Sequence, residues 1–173
     1  MSALLWLSLS AGASLVVAGC GGAHADENNQ VVSWTGIAGA ITIQNVSNPI
    51  GNIESGTFAW TTRTGSAKVD LAQGTTNFDV EGLVINGTTF SGTAGPVSAV
   101  TGTLVCNPGA DAQTVLDTPA VPLSTQGSAH FSGRIENIPT NCAAPIFLIR
   151  IASPAGAAGR WIATGTEPRS MTN

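Results

Sequence analysis

Charge is what this chain has least of. Only 9% of its residues are Asp, Glu, Lys or Arg, against about 25% in an average soluble protein. Lys68 is its single lysine, and six basic residues stand against ten acidic ones, for a net charge of −4. Affinity for nucleic acid comes largely from neutralising phosphates, so a chain with no basic cluster is a poor candidate for that role. The same poverty argues against direct attraction to an anionic membrane surface. Histidine is scarcer still, with only His24 and His130. Blue-copper sites and His-rich zinc sites both need more imidazoles than this inventory holds. There is no tyrosine, no G-x-S-x-G elbow and no phosphate-cradling glycine motif that opens a helix. The strong helix formers that normally coat helical surfaces are few. Ser, Thr, Gly and Asn take their place, a composition suited to an exported β-protein.

Long apolar runs are also missing, except at the start. Residues 4–19 read LLWLSLSAGASLVVAG, shorter than the roughly 20 residues a membrane span needs but of the size of a secretion signal. Nothing before residue 24 carries a charge except the α-amino group, so the usual basic n-region is expected upstream of Met1. Two cleavage sites compete. Val17-Ala18-Gly19-Cys20 resembles the lipobox of bacterial lipoproteins, with small residues before a cysteine and Val17 where Leu is usual. That resemblance covers the leader alone and implies that Cys20 takes a diacylglycerol and becomes the new N-terminus. Ala23-His24-Ala25 is a small-x-small site that would release a soluble product beginning at Asp26. Gly21-Gly22 and the polar stretch to about residue 30 would make a flexible tether, which favours the lipid-anchored form. The expected organisation is a signal sequence over 1–25 with a short tether, then one domain over 31–173.

Either cleavage removes Cys20 from thiol chemistry and leaves Cys106 and Cys142 as a pair. An exported protein meets an oxidising environment, where such a pair forms a disulfide. The spacing does not fit a CxxC redox motif, and two cysteines without histidines cannot build a structural zinc site.

The rest of the chain alternates with period two, the pattern of half-buried antiparallel strands. Ile41 and Ile43 alternate with Thr42 and Gln44. Ala67, Val69 and Leu71 alternate with Lys68 and Asp70, and Phe78 and Val80 with Asp79 and Glu81. Ala129, Phe131, Gly133 and Ile135 alternate with His130, Ser132, Arg134 and Glu136. Asn86-Gly87, between GLVI and TTFSG, predicts a tight hairpin, and Gln73-Gly74 a second one. The run from Pro145 to Ile151 is apolar on both faces until Arg150 and predicts a central strand covered on both sides. A last strand is expected around Arg160–Thr164. About eight to ten short strands at intervals of roughly ten residues, with no convincing helix, predict a single antiparallel β-sandwich, Ig-like or jelly-roll-like. Cys106 shares strand parity with Val100 and Leu104, so its sulfur should face the core.

Few residues suggest chemistry. Asp79 and Glu81 share a strand face at a spacing a glycosidase could use, and Asp70 could join them around calcium across a hairpin. No D-x-D-x-D-G loop supports the latter, and acids on a wet strand face normally serve solvation. His130 should be a solvent-facing strand residue. Asn45-Val46-Ser47 and Asn86-Gly87-Thr88 match the glycosylation sequon by coincidence in an Asn- and Thr-rich chain. Trp34, Trp60 and Trp161 are the remaining candidates, since an exposed indole at the end of a β-sandwich can stack on a sugar or grip a partner. Trp60, followed by a polar loop, is the best placed for exposure. The sequence therefore predicts a non-catalytic envelope or secreted protein with a structural or protein-binding role and no cofactor. The alternative is a carbohydrate or small-ligand module using the tryptophans, and a hydrolase ranks last. The partner is a protein or glycan, and contact with a membrane comes only through a lipid on Cys20.

Overall fold

The computed structural model describes residues 30–42, 46–111, 113–153 and 156–172. The leader with Cys20 and both cleavage sites lies outside the described residues, as do Ile43, Gln44 and Asn45. Every regular element among the described residues is a strand. In chain order these are β1 (Gln30–Gly39), β2 (Ala59–Thr61), β3 (Thr64–Asp70), β4 (Thr75–Glu81), β5 (Val84–Asn86) and β6 (Ala99–Cys106). They continue with β7 (Thr114–Asp117), β8 (Val121–Pro122), β9 (Ala129–Arg134), β10 (Ile146–Ala152) and β11 (Ala158–Thr172).

The strands pair antiparallel in one continuous sheet of order β7-β6-β10-β11-β1-β3-β4-β9, with β8 also on β6, while β2 and β5 form a separate ribbon. Two separate sheets were the expectation; a single sheet curled as a half-barrel is what the pairing shows. Its curvature can be read from the aromatic rings. β10 and β4 are four positions apart in the sheet, which in a flat sheet would place them about 19 Å apart. Yet the Phe78 and Phe147 rings are 5.8 Å apart, centroid to centroid. Gly102 on β6 makes room for this approach, because a Cβ there would lie 2.7 Å from Phe147 and 2.8 Å from Phe78.

Alternation places the core. Ala67, Val69, Phe78, Val80, Ala129 and Phe131 point inward as expected, beside Val32, Trp34, Val100, Leu104 and Ile149. β10 is covered on both faces, as its composition predicts. Phe147 and Ile149 join the inner core, whereas Leu148 meets Ile53, Val105 and Trp161 in a second cluster. The segment around the Ile50–Ile53 bridge covers that outer cluster. Arg150, where the apolar run ends, donates to the Ala158 and Gly159 carbonyls at 2.9 and 2.7 Å and pairs with Asp117 at 3.2 Å. It thus ties the β10–β11 hairpin to edge strand β7.

Cys106 and Cys142 are disulfide-bonded, with their Cα atoms 4.7 Å apart, and both sulfurs belong to the inner core. Asn107 reinforces the junction. Its amide donates to the Ala143 carbonyl at 2.9 Å, and its side chain bonds the Asn141 carbonyl and the Ala143 amide. The loop before β10 is therefore clamped to the end of β6.

Three local expectations change. The strand expected from Ile41 ends before it: β1 stops at Gly39, and Ile41 is 87% exposed. The last strand is far longer than Arg160–Thr164, because β1 pairs with it from Gly39↔Ala163 to Gln30↔Thr172. Pro168 is tolerated there because β10 pairs with β11 only as far as Thr164, which leaves an open edge beyond. Asn86-Gly87 does not join two adjacent strands. β5 pairs with β2, and the chain returns only at Gly92 and Thr93, which exchange hydrogen bonds with Ile85. The Gln73-Gly74 hairpin forms as expected between β3 and β4, its turn held by the Gly74 amide on the Asp70 carbonyl at 2.7 Å.

Candidate functional site

The tryptophans correct the sequence reading most directly. Trp34 and Trp60 are each 2% exposed and Trp161 3%. Trp34 lies in the inner core with its ring 5.5 Å from that of Phe147. Trp60 belongs to the same cluster, although a polar loop follows it. Trp161 anchors the outer cluster, and its indole N–H donates to the Asn48 carbonyl at 2.9 Å. Stacking needs an open ring face, so these indoles cannot form a ligand platform in this structure. Large aromatic rings are instead the most effective filler for the space under a curled sheet.

The acidic pair lies where alternation puts it, on the outer face of β4, but each carboxylate has company. Glu81 pairs with Arg63 at 2.7 Å, an exposed contact of little energetic weight. Asp79 lies 3.4 Å from His130 Nδ1, its cross-strand neighbour on β9. Asp70 does not join them. Its carboxylate accepts the Ala72 and Gln73 amides, each at 2.9 Å, and so caps the β3–β4 turn. Ser132, on the His130 face, donates to Asn77 at 2.7 Å. Among the described residues no three His, Cys, Asp or Glu side chains gather as a metal site would require.

Two depressions mark the surface. The first, about 270 Å³, runs over the outer face of β1, β3, β4 and β9 beside Ser33, Ser66, Lys68, Asn77, Asp79 and His130. Its walls are exposed side chains of both signs on a regular strand surface. The second, about 210 Å³, is a cleft at the far end of the shell between the chain leaving β1 and the β2–β5 ribbon. Thr42, Thr57, Phe58, Ala59, Asn86 and Thr88 line it.

Beside this cleft stands a residue the sequence reading passed over. Phe90 is 43% exposed, the one exposed aromatic among the described residues. It sits on a loop with dense internal bonding. The Phe90 amide donates to Thr88 Oγ1 at 3.0 Å, and the Phe90 carbonyl accepts the Thr93 amide and hydroxyl at 3.0 and 2.8 Å. The Gly87 amide donates to Ser91 Oγ at 3.2 Å. Gly95 has φ +56 and no Cβ, and lies under the Phe90 ring, where a Cβ would come within 3.2 Å of Phe90 Cγ. The available signal was TTFSGTAGP itself, an aromatic among turn formers with no alternating partner to pull it inward.

Compared with protein-family models, with curated proteins and with solved structures, the chain matches none.

Proposed function

We propose that this is an exported protein, anchored by a lipid on Cys20, whose β-shell serves the bacterial envelope as a non-catalytic structural or protein-binding module. The Cys106–Cys142 bond carries the reading of export, because disulfides persist mainly in oxidising compartments. The lipobox-like Val17-Ala18-Gly19-Cys20 and the glycine tether support the anchor. The non-catalytic reading is supported by what the conspicuous polar residues do. Glu81 is occupied by Arg63, Asp70 caps a turn, and His130 and Asp79 stand exposed on a flat strand face. The arms of the sheet that meet at Phe78 and Phe147 support a sandwich-like reading of the fold, the form common among such modules.

Expression of the whole chain in a bacterium, followed by mass spectrometry of the mature N-terminal peptide, tests the anchor. A diacylated Cys20 is expected, and Cys20→Ala should move the protein out of the membrane fraction. A free N-terminus at Asp26 would defeat the anchored form. Reactive Cys106 and Cys142 thiols in the product would defeat export altogether.

A further inference from the structure

The cleft beside Phe90 combines features that the rest of the surface does not. None of the side chains that line it is ionisable. The chain from Gly82 to Ala110, which supplies Asn86, Thr88 and Phe90, contains no Asp, Glu, Lys, Arg or His. Whatever binds there meets no charge of either sign, so an ionic ligand would lose its hydration without gaining a counter-charge. The cleft offers Phe58 and Ala59 as apolar floor and Asn86, Thr57 and Thr88 as hydrogen-bonding rim. The Thr42 hydroxyl is buried there without a partner among the described residues. Rotation about χ1 exchanges that hydroxyl with the methyl and can turn it towards an occupant. At about 210 Å³ the space falls below the roughly 300–1,000 Å³ of pockets for drug-sized ligands, so it suits a single ring.

From this chemistry we propose that the cleft binds one ring of a neutral saccharide, with Phe90 covering an apolar ring face and Asn86, Thr42 and Thr88 bonding its hydroxyls. A protein side chain is less well matched, because a protein interface needs a broad apolar centre, and here a single exposed aromatic stands among hydroxyls. The loop is preorganised, since its own hydrogen bonds hold Phe90 before any ligand arrives, and that lowers the entropic cost of binding. Its location fits as well. β1 starts at Gln30 and runs ten residues towards the cleft, about 30 Å at strand rise. A tether ahead of Gln30 would therefore leave the cleft facing away from its anchor.

The test uses the purified, processed chain, so it does not depend on whether Cys20 carries a lipid. Cellobiose, maltose, diacetylchitobiose and an array of neutral and acidic oligosaccharides are the probes, with calorimetry on any that bind. Saturable binding of a neutral sugar is expected, with amide NMR shifts centred on Asn86 and Thr88. Phe90→Ala and Asn86→Ala should each weaken it by about tenfold, which is about 1.4 kcal/mol. Thr42→Val is the sharper variant: it should weaken binding while leaving the thermal midpoint unchanged or higher, since it removes an unpaired buried hydroxyl. Binding of acidic sugars alone, no saturable binding of any neutral sugar, or neutral-sugar binding untouched by all three substitutions would overturn the proposal.

Discussion

Single residues in this protein are placed by how much room the curled sheet leaves them. The three indoles were attractive as ligand platforms because tryptophan is costly to hide from water and common at binding surfaces. Their burial shows the opposite use, as bulk that fills the concave side and anchors the outer cluster. Phe90 stays outside because its loop is closed by its own backbone and hydroxyl bonds and has no strand to carry the ring inward. At the other extreme, Gly102 is where two arms of the sheet meet most tightly. Gly102→Ala should destabilise the fold by about 1–3 kcal/mol through overpacking against Phe78 and Phe147. In a domain of this size that corresponds to about 2–4 °C in thermal midpoint per kcal/mol, readable by calorimetry. An unchanged midpoint would show that the two rings can separate at no cost.

At the scale of elements, the ordering of strands rests on one covalent link and a few polar clamps. The disulfide closes a loop with a sequence separation of 36 and joins the end of β6 to the loop that enters β10. On the chain-entropy model such a closure stabilises by about 3–4 kcal/mol. Cys106→Ser with Cys142→Ser should therefore lower the denaturation free energy by about that amount. The native fold should survive, because Asn107 still bonds both Asn141 and Ala143 and β6 still pairs with β10 from Val100 to Val105. Urea titrations of the two forms, followed by tryptophan emission, measure the difference. Equal midpoints would mean that Asn107 and the strand pairing hold the junction alone.

For the whole molecule, the defining pairing joins its two described ends: Gln30 lies opposite Thr172. Without β11 past Thr164, β1 would keep only its partner β3 along Val31–Trp34, and Val32 and Trp34 would lose one wall of their site. A chain ending at Thr164 should therefore lack fixed tertiary structure, seen as loss of near-ultraviolet circular dichroism. Retention of a native spectrum would show that β1 is held by β3 and packing alone. The intact chain should also fold slowly, since contacts so distant in sequence require loop closure before they stabilise anything.

Much of this was legible from residues alone. Alternation set which side of β3, β4 and β9 faces inward, the doubly apolar run marked β10 as a covered central strand, and strand parity turned Cys106 to the core. These are local properties, because side chains on a strand point to opposite faces in strict succession. Tertiary structure alone decided that one sheet curls where two were expected, that the C-terminal strand runs on through Pro168, and that Phe90 rather than a tryptophan meets solvent. Each of those depends on which distant strand lies alongside and how far the sheet bends. Period two carries no information about either.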